Sequence, residues 1–228
     1  MEPRLQEELD ALKQRLLEMA ARVEQNIELA VNGLRDRNEI ALASVVDHDA
    51  EVDIAELQID EACIALLAKQ QPVGRDLRFI ATALKIVKDL ERVGDIAKNI
   101  AKHGLSLFRE HSPVTYPGDL SRMTRVVRTL LHQALDAFVR QDPILARRVI
   151  AGDDEVDQLH RQNVSYLIKL MVEDSSLISP MTQYLAVNKF LERIGDHSSN
   201  IAAMVVYMVE GHDIRHPKKQ QRMREASR

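Results

Sequence analysis

The chain has 228 residues, of which 45% are hydrophobic and only 4% aromatic, with one cysteine and a formal net charge of -4. Each half is long enough to bury a core, and sparse Gly and Pro amid abundant Ala, Leu, Glu, Lys and Arg describe helix-bundle material. The charge balance and a pI near 6.1 exclude a general pull toward nucleic acid, and the lone Cys63 excludes an internal disulfide and suits a reducing compartment.

The opening residues from Met1 to Glu8 carry charge where a signal peptide needs an apolar run, so a cytoplasmic location is expected. The longest apolar stretches, such as Ile201 to Val206, fall far short of the roughly 20 residues of a membrane span. The chain is therefore expected to be peripheral to a membrane at most. From Leu5 the apolar residues Leu9, Leu12, Leu16, Met19, Val23, Ile27, Val31 and Leu34 follow in steps of three and four, which predicts a long amphipathic helix. A second helix is predicted from Glu39 to Gln71, ended by Pro72, and a third runs on to Arg109. His111-Ser112-Pro113-Val114-Thr115-Tyr116-Pro117-Gly118 breaks the periodicity and reads as a linker.

The second half repeats the first. Asp49, Glu51, Val52 and Asp53 recur 104 residues later as Asp153, Glu155, Val156 and Asp157. Leu90 to Asp95 recurs 101 residues later as Leu191 to Asp196, with the three-residue difference assigned to the intervening loop. The predicted architecture is all-α: two tandem, sequence-related three-helix bundles built from six long helices. The first spans residues 1–112, a linker 113–118 and the second bundle 119–211. A basic tail over 212–228 is expected to be disordered and solubilising.

Within each half, two helices carry acids four residues apart, which puts each pair on one helix face: Asp49 and Asp53 with Glu91 and Asp95, then Asp153 and Asp157 with Glu192 and Asp196. In an antiparallel hairpin, residues equidistant from the turn face each other. Asp53 with Glu91 and Asp49 with Asp95 are both centred on Pro72, and the second set is centred beside Asp174. Both hairpins should thus crowd four carboxylates at one level of a surface groove. Like charges at that range must take up protons, stay solvated or share a cation. Oxygen ligation suits magnesium, manganese or calcium, and carboxylates on facing helices also hold iron or zinc. Asn99 and Asn200, one turn beyond the acids, are placed to orient them or add an amide oxygen.

A plainer reading is a solvated face laced with ion pairs such as Lys88 with Glu91, Asp95 with Lys98 and Lys189 with Glu192. Asp196 lacks the partner that Lys98 gives Asp95, because Ser199 and Asn200 follow it. Gly94 and Gly195 sit within helices and imply close helix approach or access to a metal, while Arg92 and Arg193 read as solvated or partner-facing. His160 and His197 are expected at the surface. Asp157-x-x-His160 supplies only half of the paired motif of a carboxylate-bridged metal oxidase. No phosphate loop, nucleophile elbow or Cys/His pair marks an enzyme.

The duplicated Glu-Arg-Val/Ile-Gly-Asp at Glu91 to Asp95 and Glu192 to Asp196, with Gln71-Pro72-Val73-Gly74-Arg75-Asp76-Leu77-Arg78, resembles the PhoU family of phosphate-transport accessory proteins. The resemblance covers nearly the whole chain. It implies two bundles with multinuclear metal clusters at the acid pairs named above, the metal being iron, zinc, manganese or magnesium. It also implies a non-enzymatic negative regulator of the phosphate-starvation response, linking the ATPase of the phosphate ABC transporter to a sensor histidine kinase. A homodimer is one assembly it allows. A carboxylate-bridged di-metal oxidase and a metal-free helical adaptor are the competing readings. The second half departs from the pattern at Ser179-Pro180-Met181-Thr182-Gln183, so partner contacts of the halves are expected to differ.

Overall fold

The computed structural model describes residues 3–110, 120–212 and 214. Six helices run as α1 (Pro3–Asp36), α2 (Glu39–Gln70), α3 (Gly74–Glu110), α4 (Leu120–Arg140), α5 (Pro143–Glu173) and α6 (Ile178–Glu210), with a short 3-10 turn at Ser175–Leu177. The all-α expectation of six long helices in two tandem bundles holds. The linker at 113–118, and the basic tail apart from His212 and Ile214, lie outside the described residues.

Every residue of the predicted α1 stripe, from Leu5 to Leu34, is buried. The stripe is what makes α1 a helix here, since apolar burial stabilises a long amphipathic segment far more than intrinsic propensity does. The turns leading into α2 and α5 are two copies of one motif. Arg37 and Gln141 are left-handed, at φ 53° and 54°, and the next residues, Asn38 and Asp142, cap the helices. Asn38 Oδ1 accepts from Ala41 N at 3.1 Å, and Asp142 Oδ1 from Ile144 N and Leu145 N at 2.9 and 3.0 Å. The cap amides reach back alike, Asn38 N to Gly33 O and Asp142 N to Ala137 O.

The hairpin turns fall where the acid spacing centres them, at residues 71–73 and 174–177. The three-residue difference does not lie in the loop, as expected, but in the helices. α3 starts at Gly74 and reaches Glu91, whereas α6 starts at Ile178 and reaches Glu192, so the second hairpin is shorter by roughly one helical turn.

The bundles join through α3 and α6, and through α1 and α4. Arg78 Nε donates to Met208 O at 3.0 Å, His197 Nδ1 to Asp89 Oδ1 at 2.7 Å, and His103 Nδ1 to Gln183 Oε1 at 2.6 Å. As α3 advances, its partners on α6 retreat, so these equivalent helices are antiparallel. α1 and α4 are antiparallel too, with His132 against Glu24 and Arg128 against Glu28. Equivalent elements packed antiparallel relate the halves by an approximate two-fold axis, and one apolar core runs through both. Phe79 and Phe138 stack across the junction with centroids 4.8 Å apart.

One part of the core is polar only in the second half. Asn163 Nδ2 donates to Asn188 Oδ1 at 3.0 Å, and Asn188 Nδ2 to His160 O at 3.2 Å and His160 Nδ1 at 2.8 Å. The corresponding first-half residues, Ile59 and Val87, are buried apolar partners instead. The twin positions hold a hydrogen-bonded pair in one half and an apolar pair in the other.

Phe138→Ala should therefore destabilise both halves together by about 3–5 kcal/mol, seen as one cooperative transition in denaturant melts followed by probes in each half. Asn188→Val alone should cost about 1–3 kcal/mol by stranding the buried Asn163 amide. Asn163→Ile with Asn188→Val should recover most of that loss in the same melts.

Candidate functional site

The two grooves lie between α2 and α3 and between α5 and α6, at the middle level of the antiparallel α3–α6 pair. In the first, Lys98 Nζ donates to Asp49 and lies 3.4 Å from Asp95 Oδ1, tying the two helices together at the level that the spacing predicts. Asp49 is 5% exposed, so its charge is largely withdrawn from water. Arg92 lies 3.5 Å from Glu91 Oε2 and 3.6 Å from Asp95 Oδ2. Burial and the neighbouring Asp49 hold the exposed Asp53 carboxyl above its ordinary range, and burial and Asp95 do the same for Glu91. The Asp95–Lys98 pair is present as expected. Lys88 instead crosses to Glu56 at 2.5 Å and Asp60 at 3.0 Å, away from Glu91.

The second groove holds the same acids with a different charge balance. Lys189 lies 2.6 Å from Glu192 Oε2 and Arg161 3.6 Å from Asp157 Oδ2. Among the described residues no cation pairs with Asp153 or Asp196. Burial pushes the Asp153 carboxyl up to about 6, and Asp196, Asp157 and Glu192 add to the rise. Burial and Glu192 raise Asp196 as well. Glu192 Oε2 is buried and makes no hydrogen bond, its contact with Lys189 being an ion pair only.

The two helical glycines share one contact and differ in another. A Cβ on Gly94 would meet Val52 Cγ1 at 3.1 Å, and one on Gly195 would meet its twin Val156 Cγ1 at 3.2 Å, so both admit close apolar packing. A Cβ on Gly195 would also stand 2.6 Å from Asp153 Oδ1, so its absence lets that carboxylate lie against α6.

In each groove, beyond the effect of burial, acids on the two facing helices raise one another's carboxyls, Asp49 and Asp95 acting on Asp53 and Asp196, Asp157 and Glu192 on Asp153. Among the described residues, no three His, Cys, Asp or Glu side chains are close enough to grip an ion as they stand. Asn99 is half-buried and Asn200 exposed, and no hydrogen bond joins either to the acids among the described residues. His160 and His197 are not free surface histidines, since Asn188 and Asp89 hold them. Cys63 is buried, as expected, and burial lifts its thiol to about 12. The sequence reading missed the cross-helix reach of Lys98, although the change from Lys98 to Ser199 at the repeat offset signals it.

The donor chemistry fits a hard or borderline cation: oxygen-only ligands on facing helices, one of them, Asp153, lying in the space that Gly195 leaves open. Without cation, Asp153 has a folded value of about 6, above its ordinary 3.8. The folded state then binds the extra proton, so this group's stabilisation is complete below pH 3.8 and is lost as pH rises through 6. Thermal melts in chelator should show that loss. Asp153→Asn should flatten it and melt about 2–4 °C higher at neutral pH.

The PhoU domain model matches twice, over residues 16–103 and 120–205. The phosphate-specific transport system accessory protein PhoU of Serratia marcescens is 34% identical over 92% of this chain and 86% of that protein. The PhoU homolog of Pseudomonas aeruginosa is 38% identical over the same shares. A crystal structure of PhoU from Pseudomonas aeruginosa superposes with a TM-score of 0.85, at 36% identity, over 91% of this chain and 99% of that one. The Streptococcus pneumoniae structure, a phosphate transport system regulatory protein, gives 0.84 at 28% identity, over 92% and 99%. With two copies of the family's domain and its fold over nine-tenths of its length, this chain belongs to the PhoU family.

Proposed function

We propose that this protein regulates phosphate uptake by docking to other proteins, and that it holds down the phosphate-starvation response when phosphate is plentiful. The observation that carries this is its similarity, over 92% of its length, to proteins named as phosphate-specific transport system accessory proteins. Those relatives are named as accessory or regulatory proteins, which favours a role without turnover. It would act in the cytoplasm, linking the ATPase of the phosphate ABC transporter to a sensor histidine kinase. No described helix is long and apolar enough to cross a membrane.

In this reading each groove takes a multinuclear, oxygen-ligated cluster of iron, zinc, manganese or magnesium. Asp153, Asp157, Glu192 and Asp196 would hold one, and Asp49, Asp53, Glu91 and Asp95 the other. The cation would supply the positive charge that lets crowded carboxylates stay ionised. Away from the core, α2 exposes Ile54, Leu57 and Ile64, and α5 exposes Ile168 and Val172. Exposed apolar residues three, four or seven apart on one helix suit helix-on-helix docking. A metal-free adaptor is the second reading, favoured by Lys98 already standing between two acids of the first groove.

Elemental analysis of protein purified without chelator should find stoichiometric metal, and a Glu91→Ala, Asp95→Ala, Glu192→Ala, Asp196→Ala variant should lose most of it. Replacing all eight acids by Ala should weaken kinase capture about tenfold, or about 1.4 kcal/mol. Undiminished capture by a folded eight-acid variant would remove the metal from the mechanism and leave the adaptor.

A further inference from the structure

The repeat allows each position of one groove to be compared with its twin in the other, and the twins differ at a residue that faces the acids. Lys98 on α3 corresponds to Ser199 on α6, at the same 101-residue offset that relates Glu91 to Glu192 and Asp95 to Asp196. Lys98 reaches from its own helix to Asp49 on α2 while keeping Asp95 at 3.4 Å. Its ammonium therefore stands between one acid of each helix, where the hairpin register would have a shared cation stand. Ser199 brings no charge to the equivalent place. The cations nearest the second set, Lys189 and Arg161, pair with Glu192 and Asp157 and leave Asp153 and Asp196 without an ion pair among the described residues.

A second difference points the same way. Both helical glycines admit the equivalent valine, Val52 Cγ1 at 3.1 Å from a Cβ on Gly94 and Val156 Cγ1 at 3.2 Å from one on Gly195, but only Gly195 also leaves room for a carboxylate oxygen, that of Asp153. The second groove keeps the shared apolar contact and draws its acid in against α6 as well.

We propose that Lys98 is a built-in counter-cation that makes the two grooves unequal, so that a divalent cation fills the second groove first and enters the first only by displacing the lysine ammonium. This rests on the metal-binding reading above and adds an order of filling to it. Displacement breaks charge-assisted hydrogen bonds to a nearly buried Asp49, which weakens the first groove on the order of tenfold or more. The lysine can leave: its side chain is 26% exposed and its four-carbon stem lets the ammonium swing into water. The protein would then have a high-affinity site and a low-affinity one, built from the same acids and graded by one residue.

The test is an equilibrium titration of the full chain with Mn²⁺ alone, reading free ion by electron paramagnetic resonance and bound ion by elemental analysis. The wild type should show two classes of site separated by about tenfold or more. Asp153→Asn should remove the tighter class and Asp49→Asn the weaker. Lys98→Ser and Lys98→Gln should tighten the weaker class until the two merge, and Ser199→Lys should bring the tighter class down to the weaker. Circular dichroism checks that each variant is folded; should one Lys98 variant fail, the other and Ser199→Lys decide. Unchanged curves for the folded Lys98 variants, or a tight class that survives Ser199→Lys, overturn the role of Lys98 while metal binding stands. A wild type that binds no Mn²⁺ ends both.

Discussion

The structure depends on the apolar surface that α3 and α6 share. Both helices bury residues on more than one face: Val93, Ile96, Ala97, Ile100 and Ala101 on α3, and Ile194, Ile201, Ala202 and Val205 on α6. Two partners within its own bundle do not cover so broad a stripe, and the exposed remainder would be a large apolar patch. Packing α3 against α6 removes it from water. Because the two are copies of one helix, laying them antiparallel makes the molecule nearly two-fold symmetric, with one acidic groove on each flank of the central pair.

That placement puts the acids under stress. Glu91 and Asp95 share their helix with the most deeply buried residues of the molecule, and Asp49 is itself withdrawn from solvent. Carboxylates crowded in such a setting ionise reluctantly unless positive charge is brought to them. The first groove meets the need internally, with Lys98 bridging α2 and α3 and Arg92 along the rim. The second meets it only at its edge, and Asp153 and Asp196 bear what is left. One duplicated constellation thus has two electrostatic states.

Elsewhere the halves diverge by exchanging contacts in sets. Leu42 sits in the space left by Gly33 and Gly104, whose Cβ atoms would lie 2.8 and 2.7 Å from its methyl carbons. Its twin is Ala146, and the twins of the glycines are Ala137 and Val205, all buried. Volume lost on one helix reappears on its neighbours, as close packing requires. The exchange of Ile59 and Val87 for Asn163 and Asn188 follows the same logic for polarity, since a buried amide is tolerated only beside another that satisfies it.

The sequence by itself determined the helices, the repeat and the level of the acids. Apolar spacing is a local property, and the stripe from Leu5 to Leu34 is buried throughout. The hairpin register follows from counting outward from Pro72, which is arithmetic on a rigid rod. Only tertiary structure decided how the halves face one another, that the cap turns at Asn38 and Asp142 are copies despite differing residues, and that Lys98 reaches across to Asp49 while Lys88 turns away from Glu91. Long side chains choose among several partners within reach, and that choice depends on what the neighbouring helix presents at the same height. Whether His160 and His197 are exposed was settled in the same way, by Asn188 and Asp89 on other helices, because burial belongs to the assembled pair and not to the residue.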